Sequence, residues 1–248
     1  MKKNTMMRVA SALLVAVLLT TCAISGTFAK YVTTASGSDT ARVAKWGVDF
    51  TAQSDLFKTS YKTDDTNYTS MELSVKSSDT KDVVAPGTSG TGYSFVTTGT
   101  PEVSYRVSFA TTANTTPETV FLGAEGADRY YPVVFALKFN NAAVTIQSQD
   151  IASVLNAVAN CTYYFNVTTG KYYASTDGGT TWGDALDAAP SLELSWNWDF
   201  SVDAATDVKD TALGNLAAGK TVAGYTTDGT DYNLDIAFDV SATATQIN

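Results

Sequence analysis

Histidine is missing from all 248 residues of the chain. That absence removes Ser-His and Cys-His nucleophile activation, the commonest general base, and the zinc ligand sets built on imidazole. Cysteine is nearly as scarce, with Cys22 and Cys161 alone. A glycine-rich phosphate loop of the P-loop or Rossmann kind is also lacking. Basic residues number 16 against 25 acids and form no run. An acidic chain repels phosphate backbones, so nucleic acid is not an expected partner. No repeat of solenoid or propeller length is visible. The aspartates at Asp64-Asp65, Asp199 to Asp210 and Asp228 to Asp231 lack the fixed spacing of a calcium loop and read as solvated acidic loops. No cofactor or metal site is expected. Chemistry would have to run on carboxylates alone, and no position stands out, so the chain reads as non-enzymatic.

What is present begins at the N-terminus. Lys2 and Lys3 precede an apolar stretch from Val9 to Ile24, and Gly26-Thr27-Phe28-Ala29-Lys30-Tyr31 follows. A charged head, a hydrophobic middle and small residues at the exit are the grammar of a secretory signal peptide. The expected signal is 1–29, with Thr27 at −3, Ala29 at −1 and Lys30 as the new first residue. The apolar stretch is 16 residues and holds Ser11, Thr20 and Thr21, short of the roughly 20 apolar residues of a spanning helix. Processing removes Lys2, Lys3 and Arg8, takes the formal net charge from −9 to −12, and leaves 219 residues with no membrane segment. That length suits one well-filled core. A single remaining cysteine makes no internal disulfide, and Cys161 reads as a small buried apolar residue.

Period-2 alternation dominates the remainder. Met71, Leu73 and Val75 form one apolar face; Val103, Tyr105, Val107 and Phe109 form a second. Leu192, Leu194, Trp196, Trp198 and Phe200 form a third, and Tyr232, Leu234, Ile236, Phe238 and Val240 a fourth. Each run places one face on a core and one in water, as antiparallel strands do. Weaker strands are expected at 43–50, 91–97, 131–139 and 161–175. Thr168-Thr169-Gly170-Lys171 marks a hairpin between two tyrosine-rich strands. Ile151, Val154, Leu155 and Val158 recur at helical spacing, with Ser148 placed to cap. A second helical turn is expected around Lys209 to Leu216, ended by Gly219. The expected fold is all-β, an antiparallel β-sandwich with one short helix inserted around 148–159. Residues 30–42 read as an extended arm and 43–248 as a single domain.

Ser175-Thr176-Asp177-Gly178-Gly179-Thr180-Thr181-Trp182 resembles an Asp-box, the hairpin turn of sialidases and other secreted β proteins. Ser175, Asp177, Gly179, Thr181 and Trp182 carry the pattern. Asp and Thr side chains bond the local backbone, and the glycines supply positive φ. Sialidase propellers hold several copies; a single copy reads as a structural turn, with glycan contact as the alternative.

Three stretches and the signal together resemble the TasA/camelysin family of Gram-positive bacteria. They are Gly26 to Tyr31 followed by Ala35-Ser36-Gly37, the step Val84-Ala85-Pro86-Gly87-Thr88 into a strand, Trp196-Asn197-Trp198 followed by Asp210 to Gly214, and the closing Phe238 to Gln246. The resemblance implies a jelly-roll sandwich, export through the dedicated signal peptidase SipW, and assembly into extracellular or cell-surface fibres of a biofilm matrix. It implies a head-to-tail homopolymer in which the freed arm, Lys30, Tyr31, Val32, Thr33 and Thr34 onward, adds as a strand to the next copy. Minor matrix proteins are further implied partners. Camelysin is classed as a metalloprotease, but this chain has no HExxH and no histidine, so no catalytic residue is carried over. A glycan- or host-binding surface module is the alternative from another class.

Overall fold

The computed structural model describes residues 3–28, 42–53, 55–62, 70–111, 118–126, 128–140, 144–200, 203–226 and 230–247. The chain divides into two units, Met1–Val43 and Ala44–Asn248. In the first, α1 spans Lys3–Phe28. Its leucine- and alanine-rich middle forms helix readily and leaves Leu13, Leu14 and Leu18 exposed. Among the described residues no helix is long and apolar enough to cross a membrane.

The second unit is built from β1 (Asp49–Gln53), β2 (Ser60–Tyr61), β3 (Val75–Lys76), β4 (Thr88–Thr98), β5 (Tyr105–Thr111), β6 (Phe121–Leu122), β7 (Val133–Phe139), β8 (Val144–Ser148), α2 (Ile151–Asn160), β9 (Thr162–Asn166), β10 (Lys171–Ser175), β11 (Leu192–Trp198), α3 (Ala204–Ala217), β12 (Tyr232–Asn233) and β13 (Val240–Gln246). Two sheets dominate. One has five strands in the order β1-β4-β11-β7-β8, the other four in the order β10-β9-β5-β13. Their strand pairings are antiparallel, and the fold is β-rich and sandwich-like.

Alternation explains which face is buried. In β11, Leu192, Leu194, Trp196 and Trp198 are buried while Asn197 is exposed. Val133, Phe135, Leu137 and Phe139 repeat the pattern in β7, and Tyr105, Val107 and Phe109 in β5. The two inner faces meet at Phe109, whose ring lies 5.9 Å from Phe95 of β4 and 6.1 Å from Phe139 of β7. Polar contacts also cross the gap. Tyr163 Oη donates to Thr97 Oγ1 at 2.9 Å, and Tyr105 Oη lies 3.4 Å from the same oxygen. Burial pushes the Tyr105 phenol up to about 12.

Beyond the reach of the four-stranded sheet, other segments cover the five-stranded one. Leu56 enters the core fully buried. It lies over Gly90 and Gly92 of β4, where an added Cβ would come within 2.2 Å of the Leu56 carbonyl oxygen and 2.8 Å of the Leu56 Cα. Trp196, opposite Gly90 in the ladder, donates its indole N–H to that carbonyl at 2.8 Å. The missing side chains therefore make a slot, and Leu56 and Trp196 fill it. Phe57 and Tyr61 add rings 5.4 and 5.8 Å from Trp196.

α3 covers Trp198. Asp203 caps it by accepting from the Ala205 and Thr206 amides at 2.8 and 2.9 Å. The helix buries Ala212, Leu213 and Leu216 and stops before Gly219, which takes φ +71°.

Several expectations need correction. α3 is a full helix beginning at Ala204, so the sandwich carries two helices rather than one. Asp150, not Ser148, caps α2, accepting from the Ala152 amide; the Ser148 hydroxyl accepts from the Asp150 amide. The 71–75 alternation makes only the two-residue β3, and Met71 and Leu73 are exposed. The 232–240 run is broken. Asn233 Nδ2 donates to the Thr119 and Asp235 carbonyls, holding the chain in a bend. Phe238 then drops into the core against Phe57 and Phe135, and the regular strand begins at Val240.

Candidate functional site

The Asp-box turn follows the β9–β10 hairpin. Asp177 Oδ1 accepts from the Ser175 hydroxyl at 2.6 Å and from the Thr180 and Thr181 amides at 2.9 and 3.0 Å. Its Oδ2 accepts from the Thr181 hydroxyl at 2.6 Å. Gly178 and Gly179 take φ +73° and +90°. At Gly179 an added Cβ would also sit 2.7 Å from Arg106 Nη2 and 3.1 Å from the Trp182 ring. The positive φ calls for glycine there, and a side chain would also crowd the Arg106 guanidinium.

Arg106 of β5 fastens this turn to the sheet. Its Nη2 donates to the Gly178 carbonyl at 2.6 Å and its Nε to Thr162 Oγ1 at 3.0 Å. The buried Thr162 hydroxyl in turn donates to the Val107 carbonyl at 2.6 Å. The guanidinium lies 5.7 Å from the Trp182 ring. Tyr164 and Tyr173, opposite one another on β9 and β10, stack at 4.7 Å with planes 13° apart, and Trp182 meets Tyr164 edge-on at 4.7 Å. The outer face of the four-stranded sheet thus bears one aromatic and cationic patch. Beside it lies a cleft of about 460 Å³ lined by Asn140, Ser175, Trp182, Asp184 and Leu186.

The chemistry of the turn follows from its bonds. The Ser175 hydroxyl, then the Thr181 hydroxyl and amide, hold the Asp177 carboxyl well below the usual carboxylate range. A carboxylate so stabilised is a weak base and does not activate Ser175 as a nucleophile. With the carboxylate's folded pKa depressed, its contribution is present above the ordinary aspartate pKa near ~4 and lost as pH falls toward the folded value. In Asp177→Ala, hydrogen exchange at the Thr180 and Thr181 amides is expected to accelerate at neutral pH while the β11 amides stay protected. Unchanged exchange at 180 and 181 would mean that the carboxylate does not organise the turn.

A second cluster was not anticipated from the sequence. Asp210, expected in a solvated acidic loop, is 8% exposed on α3. Its Oδ1 accepts from the Tyr130 hydroxyl at 2.7 Å and the Trp198 indole at 3.3 Å. Burial raises the Asp210 carboxyl pKa despite those two bonds, with Asp207 adding to the rise. Lys209 lies 5.2 Å from the Tyr130 ring. Tyr130 stands 80 positions from Asp210, so no local spacing signals their bond.

Cys161 is buried, and burial pushes its thiol up to about 12. Thiolate is scarce at neutral pH and the group is inert. Among the described residues no group of three or more His, Cys, Asp or Glu is placed to hold a metal ion.

The sheet edges form the remaining candidate surface. The β10 edge is occupied: Tyr172 and Leu186 exchange both backbone bonds, and Gly183 donates to Ala174. Lys171 pairs with Asp187 across the same edge. β1 and β8 end the five-stranded sheet and β13 ends the other, each with one strand partner. Of the processing and arm residues, Thr27 lies in the last turn of α1. Ala29, Lys30, Tyr31, Val32, Thr33 and Thr34 lie outside the described residues.

Comparison with protein-family models, with curated proteins and with solved structures gave no match for this chain.

Proposed function

We propose that the chain is a secreted structural protein that assembles into extracellular-matrix or cell-surface fibres. Cleavage after Ala29 frees the arm at 30–42, which adds as a strand to a neighbouring copy. The observation that carries this reading is the place where the arm joins the sandwich: residues 44–48 lead directly into β1, a sheet-edge strand. An edge strand has main-chain groups with no strand partner on one side, and strand addition uses groups of that kind. A head-to-tail contact of this kind propagates rather than closes. The finer description, a jelly-roll-like sandwich, draws support from connections that pass between sheets at β4–β5, β8–β9 and β10–β11. The β7–β8 and β9–β10 hairpins stay within one sheet.

The test is electron microscopy of protein beginning at Lys30. Filaments are expected, and deletion of 30–42 is expected to abolish them with the thermal transition retained. Filaments from the deleted chain, or monomers from the intact one, would overturn the reading. A glycan-binding surface module is the second reading, favoured by the Tyr164, Tyr173 and Trp182 patch beside its cleft. Monomers with glycan affinity that Trp182→Ala removes would establish it.

A further inference from the structure

We propose that β13 is a self-recognition edge: two copies of this chain pair their β13 strands antiparallel about a two-fold axis through Thr243. The inference concerns a different surface from the arm and does not rest on the arm's role.

The hydrogen-bond phase of the strand is fixed. Gln246 lies opposite Tyr105, and the Ile247 amide donates to the Ser104 carbonyl at 3.1 Å. In an antiparallel ladder the bonded pairs then fall on 245, 243 and 241, whose main-chain groups face β5. The amides and carbonyls of Val240, Ala242, Ala244 and Gln246 face the other way. No strand among the described residues pairs on that side.

The sequence Val240-Ser241-Ala242-Thr243-Ala244-Thr245-Gln246 is close to a palindrome about Thr243. Antiparallel pairing about that residue sets Ala242 against the partner copy's Ala244, Ser241 against Thr245, and Val240 against Gln246. The same register joins outward-facing groups only to outward-facing groups, because 242 meets 244 and 240 meets 246. A shift of one residue would set outward groups against inward ones and lose every bond. Ala242 and Ala244 are small enough on the core side to admit a neighbour. Ser241, Thr243 and Thr245 on the other face are hydroxyl residues that pair well across strands.

Charge points the same way. The chain carries a formal net charge of −9, yet β13 has no ionised side chain. Two copies therefore meet here without like charges opposed. Natural edges are ordinarily guarded by lysine, proline, a bulge or a covering segment. β10 has its covering segment, β1 contains Asp49, and β8 is only five residues long with α2 packed against it. β13 has seven residues in unbroken register with β5 and none of these guards. Pairing of this kind is isologous and closes as a dimer. In a fibre it would join two filaments side by side.

Disulfide trapping in protein beginning at Lys30 reads the register directly, since its own thiol, Cys161, is buried. Only the residue on the axis meets its own copy. Under mild oxidation Thr243→Cys is expected to form covalent dimers at least about tenfold faster than Ser241→Cys or Thr245→Cys alone, because only its pair falls within the ~4.4–6.8 Å Cα reach of a disulfide. Mixing the Ser241→Cys and Thr245→Cys proteins should restore the fast cross-link. Adding Ala244→Pro, which removes an outward amide and no β5 bond, should abolish it with the thermal transition unchanged. Equal rates at all three positions, or no cross-link at 243, would overturn the inference. Filaments without the 243 cross-link would sink this inference alone; the cross-link without filaments would sink the fibre reading alone.

Discussion

Gly90→Ala is expected to destabilise the sandwich by about 3 kcal/mol, the overpacking of a filled core joined to the loss of a buried hydrogen bond. The new methyl group would point at the Leu56 carbonyl from 2.2 Å and at Trp196 Nε1 from 2.5 Å. Neither neighbour is the free end of a flexible side chain. The carbonyl is backbone, and the indole is 2% exposed with its N–H committed to that carbonyl. Relief requires moving the 55–57 segment out, which uncovers Leu56 and loosens Phe57. For a unit of this size the thermal midpoint should fall by roughly 10 °C. Gly214→Ala is the control. Gly214 sits within α3 with open space around its Cα, so alanine should stabilise by about 0.5–1 kcal/mol through helix propensity. A Gly90→Ala midpoint within ~2 °C of the parent would show that the slot is not filled as described.

Asp210 yields the second large effect, and its sign depends on the replacement. Asp210→Ala leaves the Tyr130 hydroxyl and the Trp198 indole without their acceptor, a loss of about 2–3 kcal/mol. Asp210→Asn keeps an acceptor oxygen for both and removes a charge whose burial the fold opposes. At neutral pH it should match or exceed the parent. The pH dependence separates the two causes. A carboxyl whose folded pKa is raised binds more protons folded than unfolded. Its contribution is fully present below the unfolded aspartate pKa near ~4 and is lost as pH rises through the folded value. The advantage of asparagine over aspartate should therefore shrink as pH is lowered from 7 toward 4, measured as urea midpoints. An asparagine variant that is less stable than the parent at pH 7, with the gap constant down to pH 4, would refute the account.

The parts legible in the sequence are those with local causes. β5 and β11 alternate because each has one face on the core, and two-residue spacing records that directly. α2 shows its buried stripe at Ile151, Val154, Leu155 and Val158 for the same reason. The Asp-box is legible because Asp177 bonds only residues within four positions of itself. Where the cause is distant, the chain gave false or silent signals. Residues 71–75 alternate, but their strand partner is the two-residue β2, so the pattern has no wide ladder to join. Glycine at 90 and 92 carries no pattern of its own; its meaning comes from Leu56, which packs directly on the strand from a distant part of the sequence. Asp210 looked like one more acidic loop residue because Tyr130, its acceptor-seeking partner, is 80 positions away. Arg106 was silent likewise, since Gly178 lies 72 positions on.

The position of β11 has a kinetic consequence. It is the middle strand of its sheet, flanked by β4 and β7, which both precede it by more than fifty residues in sequence. Until residue 198 is available, β4 and β7 have no common neighbour, and Leu56 has no indole to meet. The chain up to residue 160 can form the β7–β8 hairpin and α2 by itself, but not the five-stranded sheet that β11 completes. Loop-closure entropy must be met before those distant pairings reward it, which places such a topology among slow folders, in the range of roughly milliseconds to seconds. A nascent chain can therefore pair β1 with β4 and β7 with β8 early, but it joins these two halves of the five-stranded sheet only once β11 has been made.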